Sequence, residues 1–297
     1  MRRRRIVLLL LAALLASGIF IQSHQWHANA AARPDDVQLA GLGERENTES
    51  LLPSYGARGS DRRLPGPVIE PYVRPEFAAE MRRLRPAIRA AAMRHNHPQL
   101  SGMSDDDFAV VIALIMYNEH FGWFEEKVTP VQALTPFYES LQRETNAVGI
   151  SNLSVWPANI RPSVAIEILR RQMPLPKSTD LMTVPITVAG SQIDVNRFTT
   201  ASALYSAVTK EITEPALAVE YLAANLERGL YRAELERVPV TWRALAAWHN
   251  QGIVAPEDIR NNATVRDYLH RSSAYLGKAR KLIEAPPPAS LARRKAE

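Results

Sequence analysis

The stretch that decides the fold is Ser104-Asp105-Asp106-Asp107-Phe108-Ala109-Val110-Val111-Ile112-Ala113-Leu114-Ile115-Met116-Tyr117-Asn118-Glu119. Ser104 is a good helix N-cap, and the three aspartates after it sit where the positive end of a helix dipole favours carboxylates. From Phe108 to Tyr117 every residue is apolar or aromatic. A helix apolar on all sides is buried on all sides, so this one is expected at the centre of its domain. Steps of four, three and four from Phe108 lead through Ile112 and Ile115 to Glu119, which puts the carboxylate on a core-facing stripe. Burial and the negative end of the helix dipole should both raise its pKa. A carboxyl that keeps its proton near neutral pH is what a general acid requires. A boundary residue turning out to solvent as the helix frays would have the same spacing, and polar Asn118 and His120 flank it.

Outward from this helix most segments also read as helical. Phe77, Met81, Leu84 and Ile88 recur at spacings of three and four up to about Asn96, with Pro86 inside the run predicting a kink or a break. Ser163 to Met173 reads as a short helix stopped by Pro174. Thr213, with Glu214 and Pro215 behind it, opens another that Gly229 should close. Pro239 begins a helix ending at Gly252, and Asn262 or Thr264 to Ile283 supplies the last. One stretch alternates with period two: Val184, Ile186 and Val188, then Ala189-Gly190-Ser191-Gln192, then Ile193 and Val195. That predicts a β-hairpin with Pro185 on an edge strand. The expectation is a mostly α (α+β) domain with a central buried helix and a small β-hairpin, spanning 76–284.

The flanks differ in character. Arg2 to Arg5, an apolar stretch from Ile6 to Ile21 and Ala28-Asn29-Ala30 read as a signal peptide over 1–30. An uncleaved membrane anchor is the alternative, although the apolar run falls short of the ~20 residues a spanning helix needs. Both readings export the remainder, to the periplasm or the extracellular space. Residues 31–75 lack periodicity and read as a flexible linker, and 285–297, with three consecutive prolines and a basic end, as a disordered tail. Without the four leading arginines the 36 basic residues fall to 32, against 31 acidic ones. A near-neutral folded part argues against nucleic acid as a partner. The 297 residues contain no cysteine, which excludes disulfides, thiolate metal sites and cysteine nucleophiles.

Two further pieces carry possible chemistry. Ala147-Val148-Gly149-Ile150-Ser151-Asn152-Leu153 places a glycine that permits close backbone approach beside an amide that can donate and accept. By itself the pattern is weak, and an ordinary loop is the better reading. In Leu245-Ala246-Ala247-Trp248-His249-Asn250-Gln251-Gly252, His249 follows Trp242 and Leu245 on the apolar stripe, where a satisfied core histidine is the usual outcome, and Asn250 fits C-cap chemistry.

Taken in order, these pieces resemble the lytic transglycosylase and goose-type lysozyme families. Their shared pattern is a catalytic glutamate ending an apolar helix, a Gly-Leu-Met-Gln-like turn, and an Ala-Tyr-Asn-x-Gly-like helix end. Ile112 to Glu119 looks like the first, Gly149 to Leu153 the second, and Trp248 to Gly252 the third. Glu214-Pro215 through Leu222 is similar to the intervening family helix. The resemblance covers roughly 104–283. The chain departs from the pattern with His120 where many members have Ser or Thr, Asn152 for the glutamine, and His249 for the tyrosine.

The resemblance implies a lysozyme-like fold, no cofactor, and cleavage of the β-1,4 bond between N-acetylmuramic acid and N-acetylglucosamine in peptidoglycan strands of the cell envelope. Glu119 would be the catalytic acid, with Gly149, Ser151, Asn152, His249 and Asn250 around the sugar, and Trp156 or Trp248 available to stack on it. Glu125, Glu126, Glu139 and Glu144 follow at no spacing that marks a second catalytic carboxylate, which suits a single-acid lytic transglycosylase better than a two-carboxylate hydrolase. Two other readings compete. One is a non-catalytic wall-binding or scaffold protein on the same fold. The other is a metal site on His95-Asn96-His97, which requires a third ligand to converge on both rings.

Overall fold

The computed structural model describes residues 71–120, 140, 144, 146, 152–175, 178, 180–260 and 262–284. The expected signal peptide, most of the linker and the C-terminal tail lie outside these residues. Among the described residues no helix is long and apolar enough to cross a membrane. The described residues are mostly helical, with one two-stranded antiparallel sheet among them.

The first element, α1 (Pro75–His95), is a single helix. It runs on through Pro86 because that residue lies on the exposed face, where a missing N–H and a bulky ring face solvent. The opposite face buries Phe77, Met81, Leu84 and Ile88 without interruption. A short turn, α2 (Pro98–Ser101), leads to α3 (Asp105–Glu119). Ser104 caps α3 as its sequence suggests, its Oγ accepting from the Asp107 N–H at 3.1 Å while the Asp107 carboxylate accepts from the Ser104 N–H at 3.4 Å. Every residue from Phe108 to Glu119 is buried, each large apolar side chain contributing about 1.5–3 kcal/mol. The expected central helix is therefore present, packed mainly on α9 (Ala263–Glu284) and α1.

After α4 (Pro162–Leu169) the chain makes the small sheet, but not where the period-two pattern predicts it. The strands are β1 (Gln172–Pro174) and β2 (Leu181–Thr183), with Met173 opposite Met182. Val184 to Val188 runs on from β2 without a strand partner of its own, a turn follows at Ala189 and Gly190, and Val195 opens a 3-10 turn, although burial alternates as expected, with Val184 and Ile186 buried and Pro185 and Thr187 exposed. Alternation encodes which side chains face the core. It does not encode a ladder, and here the backbone closes local turns instead, Ile186 N–H to Val184 C=O at 2.9 Å and Ser191 N–H to Val188 C=O at 3.3 Å.

Helix α5 (Ala201–Thr213), capped by Thr200, has no counterpart in the sequence expectations. Glu214, not Thr213, caps α6 (Pro215–Glu236), its carboxylate accepting from the Leu217 N–H at 2.8 Å. Gly229 lies inside α6 instead of ending it. A Cβ at this position would come within 2.9 Å of Leu245 Cδ2 and 3.4 Å of Trp248 Cε3. The glycine thus serves the close approach of α7 (Trp242–Gln251), and the helix ends instead at Arg237, whose φ of 55° is left-handed. Helix α8 (Pro256–Arg260) connects α7 to α9.

Helix α6 also buries charge, and the described charges are paired. Arg228 donates to Glu167 of α4 at 2.6 Å, and Arg232 donates to Glu236 and to the Pro174 carbonyl of β1, both at 2.7 Å. The start of α1 meets the far end of α3: Arg74 donates to the His120 carbonyl at 3.3 Å, and the Phe77 ring stacks on the His120 ring with centroids 4.7 Å apart. Close by, the Tyr275 hydroxyl of α9 donates to the Tyr72 carbonyl at 3.2 Å.

Candidate active site

Glu119 closes α3 inside the domain, with only 6% of its surface exposed. Three elements meet its carboxylate. Tyr268 of α9 donates its hydroxyl to Oε1 at 2.6 Å. Asn159, in the turn between Val155 and Ile160, donates Nδ2–H to Oε2 at 2.6 Å. His249 of α7 brings Nε2 to 3.6 Å from Oε1, too far for a hydrogen bond.

Burial pushes the Glu119 carboxyl up to about 7, against the smaller opposing pull of the Tyr268 and Asn159 hydrogen bonds and of the Arg271 charge. Near neutral pH both protonation states are therefore within reach, and the group can give or take a proton. Burial likewise pushes His249 down to about 4, with the Ala158 backbone pulling weakly the other way, so its ring is neutral at neutral pH. Tyr268 is raised well above the usual phenol range by burial and by the neighbouring carboxylate, and remains a donor. Beside Glu119, His120 is fully buried, and that burial lowers it to about 4.

The other residues singled out by sequence are not all gathered here. Gly149 and Ser151 lie outside the described residues. Asn152 is exposed and engaged elsewhere, accepting from the Ser163 N–H at 3.0 Å and donating to Ser163 Oγ at 2.7 Å, which caps the start of α4. Asn250 accepts from Gln251 Nε2 at 2.7 Å near the end of α7, one residue past His249. Trp248 is a core residue whose indole donates to the Val254 carbonyl at 3.0 Å. Trp156 is half-buried, edge-on to Phe77 at 6.0 Å between ring centroids.

Asn159, Tyr268 and Arg271 are the contributors that sequence reasoning passed over. Tyr268 carried a legible signal. It falls on the buried stripe Val265, Tyr268, Ser272, Tyr275 of the last helix, where a phenol needs a polar partner. Asn159 has a left-handed φ of 54°, which is common for asparagine and so does not mark a site by itself.

His95 and His97 do converge on carboxylates. His95 places Nδ1 2.7 Å from Glu227 and Nε2 3.1 Å from Glu220, and His97 Nε2 lies 2.6 Å from Glu227. Arg94 pairs with Glu220 as well, and the Tyr231 hydroxyl lies 3.3 Å from His97 Nε2. These contacts are hydrogen bonds and ion pairs that tie α1 to α6. Among the described residues no group of three His, Cys, Asp or Glu side chains is arranged to hold a metal ion.

Compared with protein-family models, curated proteins and solved structures, the chain finds no match.

Proposed function

We propose that this protein is an exported, peptidoglycan-cleaving lytic transglycosylase of lysozyme-like fold, acting on the β-1,4 bond between N-acetylmuramic acid and N-acetylglucosamine with Glu119 as its single acid. The observation that carries the reading is the state of Glu119: a buried carboxyl ending the central helix, raised to about 7 and held at both oxygens. In this reading Glu119 gives its proton to the glycosidic oxygen as the bond from the sugar's anomeric carbon breaks. The sugar's own 6-hydroxyl then closes on that carbon and returns its proton to Glu119, leaving an anhydro end. The neutral His249 lies where the resemblance places a tyrosine, next to the acid. Asn250 follows it at the helix end.

A second reading, a wall-binding scaffold on the same fold, draws on two observations. Glu119 is largely covered, and Asn152 is committed to capping α4.

Mass spectrometry of purified peptidoglycan after digestion separates these. Anhydro-muropeptides support the transglycosylase, reducing ends one water heavier support a hydrolase, and undigested wall supports the scaffold. Glu119→Gln should reduce cleavage by ~10²- to 10⁴-fold, the usual contribution of acid–base catalysis. Glu139→Gln and Glu144→Gln are the matched controls, and should change it far less. Cleavage undiminished in Glu119→Gln would remove the proposal.

A further inference from the structure

The turn that carries Asn159 is anchored at both ends. The Val155 N–H donates to the Ile160 carbonyl at 2.9 Å, and both of these side chains are buried in the core. Asn159 sits in this turn at φ 54°, a backbone region that glycine enters at no steric cost and other residues enter less readily. The backbone alone would be served at least as well by glycine. What glycine lacks is the amide, and the Asn159 amide reaches Oε2 of Glu119 at 2.6 Å, forty residues away in sequence.

We infer that Asn159 is a positioning residue for Glu119, one whose amide aims the carboxylate through Oε2 and turns over when that oxygen takes up a proton. The inference rests on Glu119 being the working acid.

The two oxygens of Glu119 are held unequally. Oε1 takes its bond from Tyr268, a deeply buried side chain, whereas Oε2 faces the half-buried Asn159. Oε2 thus meets the more solvent-exposed of the two partners. An ionised carboxylate only accepts, which matches the Nδ2–H now directed at it. A protonated Oε2 donates, and would then oppose a donor. Rotation of the amide by ~180° presents Oδ1 as the acceptor instead, so one side chain serves both states of the acid. The other groups facing the carboxyl cannot do this at Oε2. Tyr268 and Arg271 approach from α9, with Tyr268 on Oε1, and the ring of His249 approaches Oε1 from α7.

The test reads Glu119 directly. Infrared difference spectra of the full chain against Glu119→Gln isolate the carboxyl band, and its titration gives the midpoint. Asn159→Gly keeps the left-handed turn and removes only the amide. Because the bond to the ionised carboxylate is stronger than the one the turned amide makes to the neutral acid, losing both should still move the midpoint upward, by about 1 pH unit. Asn159→Asp keeps the shape but puts a second carboxyl against the first, and should also raise it. If Asn159→Gly fails to fold, Asn159→Asp gives the answer alone. A midpoint unmoved in a folded variant overturns the inference. Because the readout is the carboxyl and not wall cleavage, the two proposals fail separately. An inert wild-type protein removes the function and leaves the titration result standing, whereas a cleaving protein with an unmoved midpoint removes only the role of Asn159.

Discussion

Tyr268 hydrogen-bonds Glu119 at 2.6 Å across 149 residues of sequence, closing the last helix of the domain onto the end of its central one. The contact gives a buried phenol an acceptor and one of the two carboxylate oxygens a donor.

Tyr268→Phe removes that bond, and the hydroxyl's contact with Asn118, while keeping the ring. Oε1 is then a buried acceptor without its donor, so the folded state should lose about 1–3 kcal/mol, measured by urea unfolding. The Glu119 carboxyl should titrate above its present value of about 7, because Tyr268 is the largest of the contacts lowering it. A variant with unchanged stability and an unchanged titration would mean the bond is not made in solution.

Stability should depend on pH in a way set by three buried groups. His249 and His120 are lowered to about 4 in the folded state, so between pH 4 and the unfolded value of 6.5 the unfolded chain binds more protons and stability rises with pH. Glu119 works in the other sense. Its folded value of about 7 exceeds the unfolded 4.5, so the folded state holds the extra proton and stability falls as pH rises through that window. Two histidines outweigh one carboxyl, and melting temperature should climb from pH 4 to 6.5. Glu119→Gln should steepen the climb and His249→Phe should flatten it. The same His249→Phe variant should shift the acid limb of a pH–rate profile if the ring couples to Glu119. A flat melting curve in the wild type would mean that at least one of the two histidines is not lowered on folding.

Gly229→Ala tests the approach of α6 and α7. Alanine is the better helix former by about 1 kcal/mol. Its methyl, however, would meet Leu245 Cδ2 at 2.9 Å, and Leu245 is itself buried, so its side chain can give way only by displacing its neighbours. Overpacking of this kind costs about 1–3 kcal/mol. The variant should therefore be less stable by about 1 kcal/mol in chemical denaturation, and a stabilised variant would show that the two helices yield.

What could be read from the sequence follows from where each interaction lies along the chain. Helix α3 was legible from end to end, because its cap, its dipole carboxylates and its apolar run are all local. The same spacing left Glu119 open between core and solvent, and it is the packing of α7 and α9 over the end of α3 that buries it. Helix α5 escaped notice because Leu204, Val208 and Ile212 are its main apolar anchors among Ala, Ser and Thr, too thin a stripe to rise above its surroundings. Gly229 was misread since a helix-ending glycine and a close-approach glycine look alike until the neighbouring helix is placed. The period-two stretch correctly gave the facing of Val184 and Ile186 but not the pairing, which fell to Gln172–Pro174 and Leu181–Thr183. The partners of Glu119 are set by tertiary contact alone. Neither Asn159 nor Tyr268 stands in any local pattern with it.

The first turn of α1 is fastened beside the acid, through Arg74 to the His120 carbonyl and Phe77 on the His120 ring. That attachment decides where force enters the domain. A load applied through the chain ahead of residue 71 reaches His120, the neighbour of Glu119, before it reaches the Ser104 end of the central helix. A mechanical tether at this end of the domain would thus act on Glu119 directly, whereas the same load at the Ser104 end would have the full length of α3 to cross.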